Sequence, residues 1–117
     1  MPQPRNLPDA VLAEISRFAA RMSYASSAEI STQGRGHANT VLGRWIIAGI
    51  VCEYYGATST CASKIAGVTP TRATELVTLW RDKLSNGAHD QIFAAWEKTR
   101  RLEKLPTRKV LTTGWAA

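Results

Sequence analysis

Ser63-Lys64-Ile65-Ala66-Gly67-Val68-Thr69-Pro70-Thr71-Arg72-Ala73-Thr74-Glu75-Leu76-Val77 is the stretch that decides the fold. It divides at Gly67. Before the glycine, Thr58 to Ala66 reads as a short helix with small residues, Ala62 and Ser63, where a second helix can cross closely. Gly67 accepts the positive φ that a tight turn between helices demands. Val68 supplies an apolar plug for the gap. Thr69 can cap a new helix at once, and Pro70 suits its first position, where the missing N–H costs nothing. Ala73, Leu76, Val77 and Trp80 then recur at helical spacing as an inward stripe. Two helices, Thr58–Ala66 and Pro70–Leu84, meeting at Gly67 make a helix-turn-helix.

Outward from this unit the chain continues to read as helix. Asn6-Leu7-Pro8-Asp9 looks like a helix start, with Asn6 as cap. Val11, Leu12, Ile15, Phe18, Ala19 and Met22 follow as one apolar stripe, with Glu14, Arg17 and Arg21 opposite. Residues 23–38 have no firm period and are expected to be a loop with one helical turn at Ala28-Glu29-Ile30. Asn39 can cap a helix running to Tyr55 and stopping at Gly56, apolar almost all round and therefore central. A last helix spans about Ala88 to Glu103, after a break at Ser85-Asn86-Gly87, and Pro106 ends it. Val110 to Thr113 could form a strand. The expected fold is all-α: one compact bundle of about five helices over 7–106, a flexible arm at 1–6 and an irregular or β-like tail at 107–117.

The composition fits an ordinary folded domain: 117 residues, 44% hydrophobic and 21% charged. The longest apolar run, Trp45 to Cys52, is eight residues, whereas a membrane span needs roughly 20. No basic stretch leads into an apolar run at the start, so no secretory signal and no membrane partner are expected, and the location is read as cytoplasmic. Cys52 and Cys61, in small or apolar surroundings, read as two reduced core thiols. With His37 and His89 they make no metal-ligand spacing, so no metal or cofactor is expected. A Cys61–His89 nucleophile pair would still need an oxyanion loop and a positioning group, which the sequence does not offer. No enzymatic activity is expected.

Charge is uneven. Of the net +6, residues 1–57 hold five Arg/Lys against four Asp/Glu, while residues 58–117 hold ten against five. The surplus travels with the helix-turn-helix and suits a polyanionic partner. A dense cluster, Lys98, Arg100, Arg101, Lys104, Arg108 and Lys109, lies beyond it. Either it is a solvated helix end, favoured there by the helix dipole, or it contacts phosphates. Gly34-Arg35-Gly36-His37 has the residues of a phosphate-binding loop but matches no known loop pattern, and reads as surface.

Ala66-Gly67-Val68-Thr69 resembles the turn of the helix-turn-helix in the lactose-repressor and phage-repressor families, which reads alanine-glycine-valine-serine. The likeness covers about 20 of the 117 residues. Pro70 after the cap and Ala73 at its inward position depart from the family pattern. Val51-Cys52-Glu53-Tyr54-Tyr55, Ser63-Lys64 and Leu79 to Leu84 are also similar to the start of the C-terminal DNA-binding domain of the bacterial replication initiator, though its aspartate-histidine-threonine-threonine loop is absent.

Both resemblances imply double-stranded DNA as partner. In that setting the second helix enters the major groove and presents Thr71, Arg72, Thr74, Glu75 and Thr78. Arg72 suits guanine O6 and N7, Glu75 suits cytosine N4 or pairs with Arg72, and threonines reach phosphates or thymine methyls. Lys64, Thr69, Arg81, Arg101 and Lys104 complete the expected interface as backbone contacts. The leading expectation is a sequence-specific transcriptional regulator binding as a homodimer through the first helix, the Trp96 helix or the tail. The alternatives are an accessory factor in replication or conjugation, and a helical protein-interaction adaptor that binds no DNA.

Overall fold

Pro8 sets where the chain first becomes helical. Its ring fixes φ at −57° while ψ stays extended at 150°, so it stands as the cap of α1 (Asp9–Ser23). The cap bonds use its carbonyl, which accepts from the N–H groups of Val11 and Leu12 at 3.0 and 3.1 Å. The capping role expected of Asn6 therefore falls to Pro8, and Asn6 itself lies outside the residues described by this computed structural model, 7–31, 38–83 and 86–105. The arm 1–6, the loop 32–37 with Arg35 and His37, and the tail with its suggested strand and the cations Arg108 and Lys109 lie outside them too.

Val11, Leu12, Ile15, Phe18 and Ala19 are buried as their spacing predicts, but two neighbours are not where the pattern put them. Met22 is 37% exposed, past the edge of the contact made by the stripe. Glu14, expected in solvent, is buried at 4% and holds Arg17 at 2.7 Å and Arg21 at 3.6 Å. Two guanidiniums sharing one carboxylate offset its desolvation, which is how a glutamate can lie on an inward face.

α2 (Ser27–Ser31) is the expected helical turn. Ser26 and Glu29 start it reciprocally: Glu29 N–H donates to Ser26 Oγ at 3.0 Å and Ser26 N–H to Glu29 Oε1 at 3.3 Å. Ile30 is fully buried beneath it.

The central helix is not uniform. α3 (Ala38–Ala48) starts one residue before Asn39, so Asn39 lies inside it rather than capping it. From Gly49 to Tyr54 the helix widens to a π-helical segment, closed by Tyr55 N–H donating to the Ile50 carbonyl at 3.1 Å. The widening coincides with a close approach: a Cβ on Gly49 would stand 2.5 Å from the Trp80 ring. Ile46, Ile47, Ile50, Val51, Tyr54 and Tyr55 are all buried, as a centrally placed apolar helix must be.

α4 (Ser59–Ala66), α5 (Pro70–Lys83) and α6 (Asn86–Leu102) complete the chain. α4 packs on α5, and α3 packs on α1, α4 and α5. Asn86 and Gly87, expected to end α5, open α6 instead; Gly87 is exposed in the first turn and a Cβ there would touch nothing. The core is ringed by aromatic edges. Trp96 meets Phe18 at 5.4 Å and Tyr55 at 6.2 Å, and its indole N–H donates to the Tyr55 hydroxyl at 3.1 Å. Trp96 is thus fully inside the core of its own chain.

Six α-helices, the π-helical segment and no strand account for the described residues. Their Cα radius of gyration, 13.1 Å, is that of a compact chain of this size, about 13 Å. No described helix is long and apolar enough to cross a membrane.

Candidate nucleic-acid interface

The geometry of α4 and α5 is set by three caps in twelve residues. Thr58 starts α4, its hydroxyl accepting from Cys61 N–H at 3.2 Å, so Thr58 is the cap rather than the first helical residue. Gly67 ends α4 in the left-handed conformation, φ 68° and ψ 27°. Thr69 starts α5: its Oγ1 accepts from Arg72 N–H at 3.2 Å and its carbonyl from Ala73 N–H at 2.9 Å. Only two residues, Val68 and Thr69, separate the glycine from the new helix. A turn this short forces α5 to leave at once and pack back on α4.

The inward sides of both helices follow the expected stripe. Ala62, Ala66, Ala73, Leu76, Val77 and Trp80 are buried, and Val68 is half-buried against them. Ala62 rather than Ser63 is the small residue taken fully inside; the Ser63 hydroxyl turns out and donates to the Thr60 carbonyl at 2.7 Å. On the outward side Lys64, Thr69, Thr71, Arg72, Thr74, Glu75, Thr78 and Arg81 are all exposed.

Exposure does not make these side chains equivalent. Thr74 Oγ1 lies 2.7 Å from Ser59 Oγ and donates to the Pro70 carbonyl at 3.2 Å, so it fastens α5 to the start of α4. Arg81 pairs with Glu53 on the π-helical segment, and that carboxylate holds its guanidinium above the ordinary arginine range. Arg72 and Glu75 pair with each other, Nη1 to Oε1, at 3.7 Å. Lys64 and Thr78 complete the outward face with Thr71.

Arg44 is the residue that sequence reasoning passed over. It sits in α3, 6% exposed, and its Nε donates to the Ile30 carbonyl at 3.1 Å. Burial lowers its pKa, and the nearby charge of Arg72 lowers it further. The signal was an arginine inside an otherwise apolar helix. It matters to the turn because a Cβ on Gly67 would stand 2.5 Å from the Ser31 carbonyl oxygen and 2.9 Å from that of Ile30. Arg44 therefore holds the peptide edge of α2 on which the turn rests.

The second basic cluster is less open than its composition suggested. Arg100 is bound to Glu97 at 2.6 Å, and Arg101 reaches the same carboxylate oxygen at 3.6 Å. Arg101 keeps 71% of its side chain exposed, and Lys98 is exposed beside this pair in sequence. Lys104 does not share a helix face with Arg101, because α6 ends at Leu102 and Lys104 is a left-handed residue, φ 56°. Leu105 N–H donates to the Arg100 carbonyl at 2.8 Å and Lys104 N–H to that of Arg101 at 3.2 Å, the double closure usually built around glycine.

Cys61 and His89 each have another partner. Cys61 Sγ accepts from Leu7 N–H at 3.3 Å, whereas His89 Nε2 lies 2.6 Å from the Trp80 carbonyl with its ring stacked on that indole. Among the described residues no group of three His, Cys, Asp or Glu could hold a metal ion. Set against known proteins, the chain matches no family model, no curated protein and no solved structure.

Proposed function

We propose that this protein is a sequence-specific double-stranded DNA-binding protein, acting as a transcriptional regulator, with α4 and α5 as its helix-turn-helix and α5 as the recognition helix. One observation carries the proposal. The first two turns of α5 are buried on one side by Ala73, Leu76 and Val77, and bare on the other, where Thr71, Arg72, Glu75 and Thr78 stand exposed. A recognition helix needs that division, since its inner side fixes its angle and its outer side reads base edges. The left-handed Gly67 and the Thr69 cap give the short connection that such a helix requires. The net charge of +6 supplies the long-range attraction to phosphates.

Within this proposal the expected contacts divide in two. Arg72, Glu75, Thr71 and Thr78 face bases, while Lys64, Arg101 and Lys104 meet the backbone. Thr69 and Thr74 build the unit, and Arg81 reaches a phosphate only by leaving Glu53. A second copy would double the surface that one small recognition helix buries, and the exposed side of α1 remains available for it.

Titration of the chain against random duplex at four salt concentrations tests the proposal. Binding whose logarithm falls linearly with the logarithm of salt, by about 0.9 per phosphate neutralised, is expected. Absence of salt-sensitive binding would overturn it and leave the protein-interaction adaptor.

A further inference from the structure

The outward face of α5 is almost electrically neutral although the protein is basic. Arg72 is matched by Glu75, and Arg81 by Glu53. A carboxylate on a face meant only to grip phosphates would be a liability. It adds repulsion, and it loses its water when the helix enters a groove. Glu75 is 59% exposed, and its charge partner is Arg72.

One ligand chemistry repays both groups at once. In a G·C pair the guanine edge offers two acceptors, N7 and O6, and the cytosine edge offers the N4 amine as donor. O6 and N4 are bonded to each other, about 2.9 Å apart. Arg72 and Glu75 present a donor and an acceptor 3.7 Å apart, a spacing of the same order. The pair can therefore be laid across the two bases while keeping its own contact. A·T fails because thymine O4 repels the carboxylate where adenine is read by the arginine. C·G fails because the order of donor and acceptor is reversed.

Resting on the DNA-binding reading of α5, we propose that Arg72 and Glu75 act as one unit that recognises both bases of a single G·C pair, with Glu75 rejecting other sequences. Glu75 is then a specificity-determining residue rather than a strut for Arg72. Its removal makes the face more positive, so binding to unselected DNA strengthens while discrimination falls.

Selection of bound duplexes from a random library with wild type, Arg72→Ala and Glu75→Gln tests this, with folding of each checked by circular dichroism. Both side chains are about half exposed or more, so both variants should fold. Both are expected to relax preference at the same base pair, each by roughly tenfold. Glu75→Gln is also expected to bind random duplex more tightly than wild type, whereas Arg72→Ala binds it no better. Relaxation at two different base pairs, or an unchanged preference with Glu75→Gln, would overturn the paired reading while leaving the DNA-binding proposal standing. Wild type that enriches no sequence at all would overturn both.

Discussion

At the scale of single residues, two left-handed positions behave in opposite ways. Gly67 is required. Its φ of 68° costs a side-chain-bearing residue roughly 1–2 kcal/mol, and the Ser31 carbonyl leaves no room for a Cβ. Gly67→Ala is expected to destabilise the protein by more than about 2 kcal/mol in urea unfolding. Lys104, at φ 56°, occupies the position after α6 where glycine is the usual choice. Lys104→Gly is expected to raise stability by about 0.5–1 kcal/mol, read as a higher urea midpoint at unchanged slope. Gly67 could be recognised from sequence because the turn residues around it agree with one another. Lys104 could not, since nothing in Glu103-Lys104-Leu105 marks a left-handed residue.

At the scale of elements, helices announced themselves where an apolar stripe and a cap coincided, as in α4 and α5. They were misjudged where a tertiary neighbour decided. The π-helical segment begins where a tryptophan some thirty positions later in the chain lies against Gly49, and local periodicity carries no trace of that contact. The start of α6 was hidden because Asn86-Gly87 reads equally well as an ending. The outward face of α5 shows the same division. Arg72, Glu75, Thr71 and Thr78 were legible as outward positions of a helix. That Thr74 is a fastener, that Arg81 is already engaged, and that Arg44 supports the turn from below depend on Ser59, Glu53 and Ile30, which only folding brings near. Cys52 belongs to the same π-helical segment, and burial pushes its thiol up to about 11 from an ordinary 9. Below pH 8 it is expected to resist alkylation in the native protein and to react once urea exposes it, as thiol titration would show.

For the molecule as a whole, burial of Cys52 and Tyr55 has a thermodynamic sign. Both acids have raised pKa values in the fold, through burial first in each case. The unfolded chain then releases protons at lower pH than the folded one, so the stabilisation is complete below about 9 and is lost as pH rises toward about 11. Urea midpoints measured from pH 7 to 11 are expected to be level at first and then fall, less steeply in Cys52→Ala. Trp80 offers something of another kind. It belongs to the proposed reading helix, yet its ring is 2% exposed, pressed on Gly49 and stacked 4.6 Å from His89 at 7°. The proposed recognition surface thus has a fluorophore fixed to its back. A duplex that docks on a rigid α5 leaves the emission of that indole unshifted, while a duplex that pulls the helix off its seat uncovers it and turns the emission red. The difference in emission between wild type and Trp80→Phe, which removes the contributions of Trp45, Trp96 and Trp115, is expected to report whether α5 moves in the proposed complex.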